Sequence, residues 1–170
     1  MTNGELAIRR FSPGDGERVQ ELNERAMAET PEYVTGAPDD DLQAVPSHYL
    51  DGSGEFLVGT VSGTLVAMGA YTTLDGWKTS FFDSERTAEL TRMRVDPEWQ
   101  GKGVGTAVYC ELQRRARTDG YHRFVLDTGS ANERARLFYE HHGFECISEE
   151  AVEFGDLTLD LALYENRFVD

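Results

Sequence analysis

Apolar and polar positions along the chain change rhythm repeatedly, from the alternation of a half-buried strand to the three-to-four spacing of a helix and back. "LAIRRF" (6–11) predicts a first strand, and after "SPGDGE" the residues Val19, Leu22 and Ala26 share one helical face, which predicts an amphipathic helix to about Glu29. A short second helix is expected over "DLQAVPSHYL" (41–50), although Pro46 removes an amide from its middle. "EFLVGTVSGTLVAMGAYTTL" (55–74) reads as two strands about a Ser62-Gly63 turn, the strongest hairpin signal in the chain. "TAELTRMRVD" (87–96) is a further strand. Val104, Ala107, Val108, Leu112 and Ala116 then mark a helix to about Thr118 that stops near Gly120. "RFVLDT" (123–128) is a short apolar strand. "SANERARLFYEHHG" (130–143) reads as a helix with Ser130 and Glu133 as a capping box, an apolar face of Ala135, Phe138, Tyr139 and His142, and Gly143 as its stop. Two closing strands turn at Gly155-Asp156, and hairpins followed by a βαβ unit predict an α/β (α+β) fold with helices on a mixed sheet.

Between the "TAEL" strand and the helix that begins at Val104 lies "VDPEWQGKGVGTAVY", with glycines at 101, 103 and 105. Glycines running into a helix N-terminus bare several backbone N–H groups around one point, and they let a phosphate approach where a Cβ would stand in the way. The loop is therefore an anion cradle. It is neither of two familiar ones. A P-loop needs Ser or Thr after its lysine, and Lys102 is followed by Gly103; a dinucleotide fingerprint needs GxGxxG in an early βαβ unit, and this GxGxG follows two hairpin strands.

Length and charge narrow the class. A chain of 170 residues suits one domain, here 1–170, with a real core. It has no apolar run of membrane-spanning length and no signal-like N-terminus, so a soluble, cytoplasmic protein is expected. Cys110 and Cys146 lie far apart without a CxxC, which argues against a disulfide framework or a zinc site; both are expected to be buried thiols, and no metal is expected. Net charge is −15, with 31 acidic against 16 basic residues, and Lys78 and Lys102 are the only lysines. Such a surface repels nucleic acid and anionic membrane, and by analogy it suggests a halophilic protein whose self-repulsion is screened by salt. The segment from Arg92 to Arg136 departs from that background. Its nine basic residues (Arg92, Arg94, Lys102, Arg114, Arg115, Arg117, Arg123, Arg134, Arg136) exceed its acidic ones by three. A polyanionic ligand would need such an island, and an arginine-rich helix surface would produce it equally well.

"QGKGVG" matches the Q/R-x-x-G-x-G/A signature of the GCN5-related N-acetyltransferases (GNAT) at Gln100, Gly103 and Gly105. Downstream, "NERARLFYEHHGF" resembles that family's N-x-x-A-x-x-(F/L)-Y-x-x-x-G-F block at Asn132, Ala135, Phe138, Tyr139, Gly143 and Phe144. The chain is identified by these two motifs as resembling the family over roughly Ala88 to Phe144. The resemblance implies a GNAT fold, a mixed sheet of six to seven strands with a splayed fourth and fifth pair and about four helices. It also implies acetyl-CoA as cosubstrate, its pyrophosphate on the amides of Gln100, Gly101, Lys102, Gly103, Val104, Gly105 and Thr106. Its pantetheine arm would lie along Met93, Arg94 and Val95, and Asn132 and Tyr139 would contact it.

Acetyl transfer to an amine then needs two proton movements. An alkylammonium with pKa near 10.4 costs roughly 4 to 5 kcal/mol to deprotonate at pH 7 unless a base takes the proton. Glu89 is the candidate base, since several family members carry a glutamate on this strand, with a structural or substrate-charge role as its alternative; Glu85 and Asp127 are weaker candidates. Tyr139 matches the family tyrosine that protonates or holds the departing sulfur, with core packing as its alternative. His141 and His142 fall at variable family positions and are expected to be packed or solvated, and His48 and His122 have no evident partner. No cysteine nucleophile is needed for direct transfer.

The acceptor is expected to meet residues 29–50, 73–87 and 149–157, where Tyr33, Tyr49, Trp77, Phe81 and Phe82 could line a pocket or pack as a lid. The expected function is transfer to a primary amine of a small molecule. Protein or peptide N-terminal acetylation and a non-catalytic acyl-CoA sensor are the alternatives, and a homodimer is one arrangement compatible with either.

Overall fold

The computed structural model describes residues 4–31, 33 and 39–169. Strands β1 (Leu6–Arg10), β2 (Glu55–Val61), β3 (Thr64–Thr73), β4 (Thr87–Val95), β5 (Arg123–Gly129), β6 (Glu145–Phe154) and β7 (Leu157–Arg167) form one sheet in the order β1-β2-β3-β4-β5-β7-β6. Helices α1 (Gly16–Met27), α2 (Val104–Thr118) and α3 (Glu133–His141) lie on it, with a single π-type turn at Pro46–Leu50 where the short second helix was expected. Pro46 heads that turn, the place where its missing amide costs least. The β2–β3 hairpin turns through Ser62 (φ 49°) and Gly63 (φ 79°), the left-handed pair that matches strand twist.

Two irregularities position the site. Among the described residues β4 and β5 are the only parallel neighbours, and their pairing spans just Thr87–Arg123 to Glu89–Val125. Beyond Glu89 the strands part. Between β3 and β4 the register slips: Met68 faces Arg94 and Ala70 faces Thr91, so Arg92 and Met93 together oppose Gly69. Arg92 takes φ 56° in this bulge, unusual for a non-glycine residue. A Cβ at Gly69 would stand 2.5 Å from Met93 Sδ and 2.8 Å from Leu112 Cδ1, so both side chains would have to shift to admit one.

Side chains alternate across the sheet. Phe124 and Leu126 of β5 join the main core under α2, with Tyr109, Leu112 and Tyr164. On the opposite face α1 and the Pro46 turn cover Phe56, Val58, Met68 and Ala70. A smaller cluster on Val125 and Leu163 seats Leu74, Phe82 and Trp77 from the β3–β4 loop.

Three expectations are corrected. Cys110 and Cys146 are both exposed, one on the outer side of α2 and the other on the edge strand β6, where only one sheet face is covered. The α3 cap is Asn132, whose Oδ1 accepts from Ala135 N at 3.1 Å, rather than Ser130; the backbone carbonyl of Ser130 instead accepts from Arg136. The third is the short second helix, reduced to the π-type turn at Pro46–Leu50; the apolar face of α3 does pack against the core through Phe138 and Tyr139, although no residue of the helix is fully buried because one side of it borders a cleft.

Candidate active site

The parting of β4 and β5 opens a cleft of about 530 Å³ through the sheet. On the α1 face its wall is Ala26, Met27 and Thr30; on the other it is the glycine loop and α3. Every residue expected to hold a cofactor borders it except Lys102 and Val104. Lys102 lies over the Trp99 ring at 5.0 Å, and Val104 is buried under the helix it starts.

The loop is shaped by local hydrogen bonds. Asp96 is buried, accepts from Glu98 N at 3.0 Å and contacts Arg25 of α1, which fixes the turn out of β4. Gln100 reaches back to donate from Nε2 to Val95 O at 3.1 Å, so its signature role here is to brace the loop. Gly101 (φ 76°) and Gly103 (φ 81°) then carry the chain into α2 in left-handed conformations. Gly103 is the cap residue and supplies no side-chain acceptor, so the first-turn amides of α2 face the cleft end of the loop with the positive end of the helix dipole behind them. An anionic group fits this cradle.

The basic island divides into two populations. Arg114 and Arg115 pair with Glu111, Arg123 with Glu165, Arg136 with Glu149, and Arg117 donates to Val169 O. Arg92, in the bulge, is bound by Asp41 and Asp39 at 2.6 and 3.0 Å, ties the Pro46 segment to β4, and holds the Asp41 carboxyl below its usual range against the effect of burial. Arg94 donates to Asn23 Oδ1 at 2.9 Å and to Met93 O at 3.0 Å at the cleft wall. Among the described residues of the island only Lys102 and Arg134 remain as exposed cations beside the loop. The local excess is therefore mainly structural.

Tyr139 borders the cleft from α3, packed between Phe138, Phe144 and Tyr164. Burial pushes its phenol up to about 12, with Arg94 opposing and Asp127 adding to the shift. It stays protonated at neutral pH. Asn132 borders the same cleft while capping α3.

Glu89 stands at the last paired position of β4, one step behind the cleft, and Asp127 of β5 stands in its wall. Lys78 joins them. Its Nζ donates to Glu89 Oε2 at 2.7 Å and contacts Asp127 Oδ1, with the side chain only 7% exposed. Burial raises the Glu89 carboxyl above its usual range and Lys78 opposes the rise. Glu85 is exposed and outside the cleft.

Of the five aromatics expected around an acceptor, none borders the cleft. Tyr49 is buried and donates to Asp41, Phe82 and Trp77 pack on Val125, Phe81 lies edge-on to Trp77, and Tyr33 donates to Glu24. Within 29–50, residues 32 and 34–38 fall outside the described residues. Thr30 borders the cleft, and at the other end Leu159 and Leu161 do so, just past 149–157. His142 is packed on Tyr109 and Phe138 and meets Thr106 Oγ1 at 3.0 Å; burial, then His141, lowers its pKa. His122 meets Arg86 at 3.1 Å. Lys78, Trp99 and the end of α1 carried no site signal in sequence beyond the scarcity of lysine, while Arg134 was marked there as a member of the basic island. Among the described residues no helix is long and apolar enough to cross a membrane.

Residues 19–144 match the model of the acetyltransferase (GNAT) family. A mycothiol acetyltransferase of Nocardiopsis dassonvillei is 34% identical over 82% of this chain and 42% of its own length. The chain spans less than half the length of the curated relatives it matches. An acetyltransferase of Streptococcus agalactiae has the same fold, at TM-score 0.79 and 22% identity over 96% of this chain and 98% of that one. So does an acetyltransferase of Salmonella typhimurium solved with its cofactor acetyl-CoA, at TM-score 0.76 and 23% identity over 95% of this chain and 93% of that one.

Proposed function

The chain belongs to the GNAT acetyltransferase family, and on that premise we propose that it transfers an acetyl group from acetyl-CoA directly to a primary amine of a small molecule. One observation carries the reading: a single cleft joins the uncapped glycine loop, Tyr139 and a carboxylate, with the sheet parted between them. Acetyl-CoA supplies the acetyl group as a thioester. The loop amides from Gln100 to Thr106 hold its phosphates, Arg134 and Lys102 add charge beside them, and the backbone of Met93 to Val95 receives its arm. An amide of the bulged β4 segment polarises the acyl carbonyl.

The acceptor enters from the α1 face, past Met27 and Thr30. Its ammonium gives a proton to the carboxylate pair, Asp127 being the member in the wall and Glu89 the member behind it. The amine nitrogen forms the C–N bond as the C–S bond breaks, and the second proton it sheds passes to the departing thiolate, which leaves as the free thiol. Tyr139 donates a hydrogen bond to the departing sulfur; with its phenol near 12 against about 8.5 for a thiol, it holds the thiolate rather than losing its proton to it. The Nocardiopsis relative's name supports a small acceptor over a peptide one. Use of acetyl-CoA supports a cytoplasmic setting, and the surface charge supports one rich in salt.

The test is thiol release from acetyl-CoA in concentrated potassium chloride across amino acids, amino sugars, polyamines, aminoglycosides and short peptides. Turnover on one small-molecule class is expected. Turnover on peptides alone would transfer the function to N-terminal acetylation, and tight acetyl-CoA binding with no turnover on any amine would make the protein a sensor.

A further inference from the structure

One of the two lysines in this arginine-rich, acidic chain is buried, and the β3–β4 loop is built to bury it. Leu74 and Phe82 anchor the loop on Val125 and Leu163, Trp77 packs beside them, and Lys78 Nζ lies 4.8 Å from the Trp77 ring centroid. Glu89 and Asp127 project from the same face of the sheet as Val125, on either side of the point where β4 and β5 part. The ammonium sits between them. A compact point charge suits that slot, where a planar guanidinium would need a wider one. Burial alone would lower the Lys78 pKa, but Asp127 and Glu89 outweigh it and raise it.

We infer that Lys78 is a positioning residue for the acceptor: held between Glu89 and Asp127, its ammonium fixes Asp127 in the cleft wall and leaves the carboxylate pair one net negative charge with which to receive a cationic amine. This rests on the acetyl-transfer reading above. The other ionisable groups facing the trio are Asp75 from the same loop, which acts on Glu89, and Tyr139 with Arg94 across the cleft from Asp127. Without Lys78 two carboxylates would face each other uncompensated. Like charges so placed hold a proton more tightly, so the base would become available only at higher pH.

The experiment is the pH profile of kcat/KM for Lys78→Met, Glu89→Gln and the double variant, alongside carboxyl titrations of the acceptor-free proteins by carbon-13 NMR. Lys78→Met should move the acid limb up by about one pH unit or more, the size typical of a lost charge partner, with acetyl-CoA affinity unchanged. Glu89→Gln should move it down, since Lys78 then serves Asp127 alone, and adding Glu89→Gln to Lys78→Met should bring the limb back. A merely structural lysine would lower activity without these opposed shifts. Should Lys78→Met fail to fold, Glu89→Gln still decides: no downward movement of the Asp127 titration overturns the inference. If the wild type acetylates no amine, the transfer reading fails by itself, while the NMR titrations still report whether Lys78 governs the two carboxylates.

Discussion

Tyr139 faces two ways, its ring in a cluster with Phe138 and Phe144 and its edge at the cleft. Because the ring carries the packing, Tyr139→Phe should leave the melting temperature and acetyl-CoA affinity nearly unchanged and lower kcat at least tenfold, about the value of one lost hydrogen bond to a charged group. Equal losses in kcat and stability would make it a packing residue. Asp15 is a residue of the opposite kind, remote from the cleft. It is almost fully buried and bound by Arg9 at 2.7 Å, Arg18 at 2.9 Å and Ser12 N at 2.8 Å. The Arg9 hydrogen bonds hold its pKa at about 2 against an ordinary 3.8, with burial opposing. A depressed carboxyl pKa gives stability that is complete above the unfolded value and lost as pH falls through the folded one. Acid denaturation should therefore show about 2 kcal/mol of loss between pH near 4 and pH near 2 that is absent in Asp15→Asn. At this scale the sequence was legible where a motif fixed the residue, as at Tyr139 and Asn132. It was opaque where a contact joins residues distant in the chain, as at Lys78, whose partners lie 11 and 49 positions away.

Elements came through more fully than residues. Periodicity and turn chemistry located all seven strands and the three α-helices, because hydrophobic alternation and glycine stops are local signals. The bulge was not legible, since nothing in "TRMRV" announces a left-handed arginine, and Arg92 is gripped there by Asp39 and Asp41 from a distant segment. Of the two readings open for the loop aromatics, lining a pocket or packing, the structure gives packing for a related reason. Trp77 and Phe82 are drawn onto Val125 by burial and serve to seat the loop. The bulge and α2 are coupled through Gly69, over which Met93 and Leu112 close. Gly69→Ala should destabilise the protein by about 1–3 kcal/mol in denaturant melts, the usual cost of overpacking, and should weaken acetyl-CoA binding by shifting Met93. Gly103→Val, in contrast, meets no neighbour but must keep φ near 81°. It should reduce acetyl-CoA affinity through the displaced first-turn amides, with a smaller effect on the fold.

Over the whole molecule, 31 acidic residues against 16 basic leave a net charge of −15, and the arginines that might have offset it locally are held in specific pairs. Self-repulsion on that scale weakens as the screening length falls from about 10 Å at 0.1 M salt to about 3 Å at 1 M. The melting temperature should rise with potassium chloride over that range, and a flat or falling curve would remove the argument for salt adaptation. The parted sheet sets the glycine loop on one face and Met27 and Thr30 on the other, and the proposed direct transfer runs through the cleft between them. The most direct measurement is a single turnover with labelled acetyl-CoA, excess protein and a turned-over amine, following label on acceptor and protein by mass. The account predicts label on the amine nitrogen at the rate of thiol release, with none accumulating on the protein. Label arriving first on the exposed Cys110, Cys146 or any other side chain would contradict it.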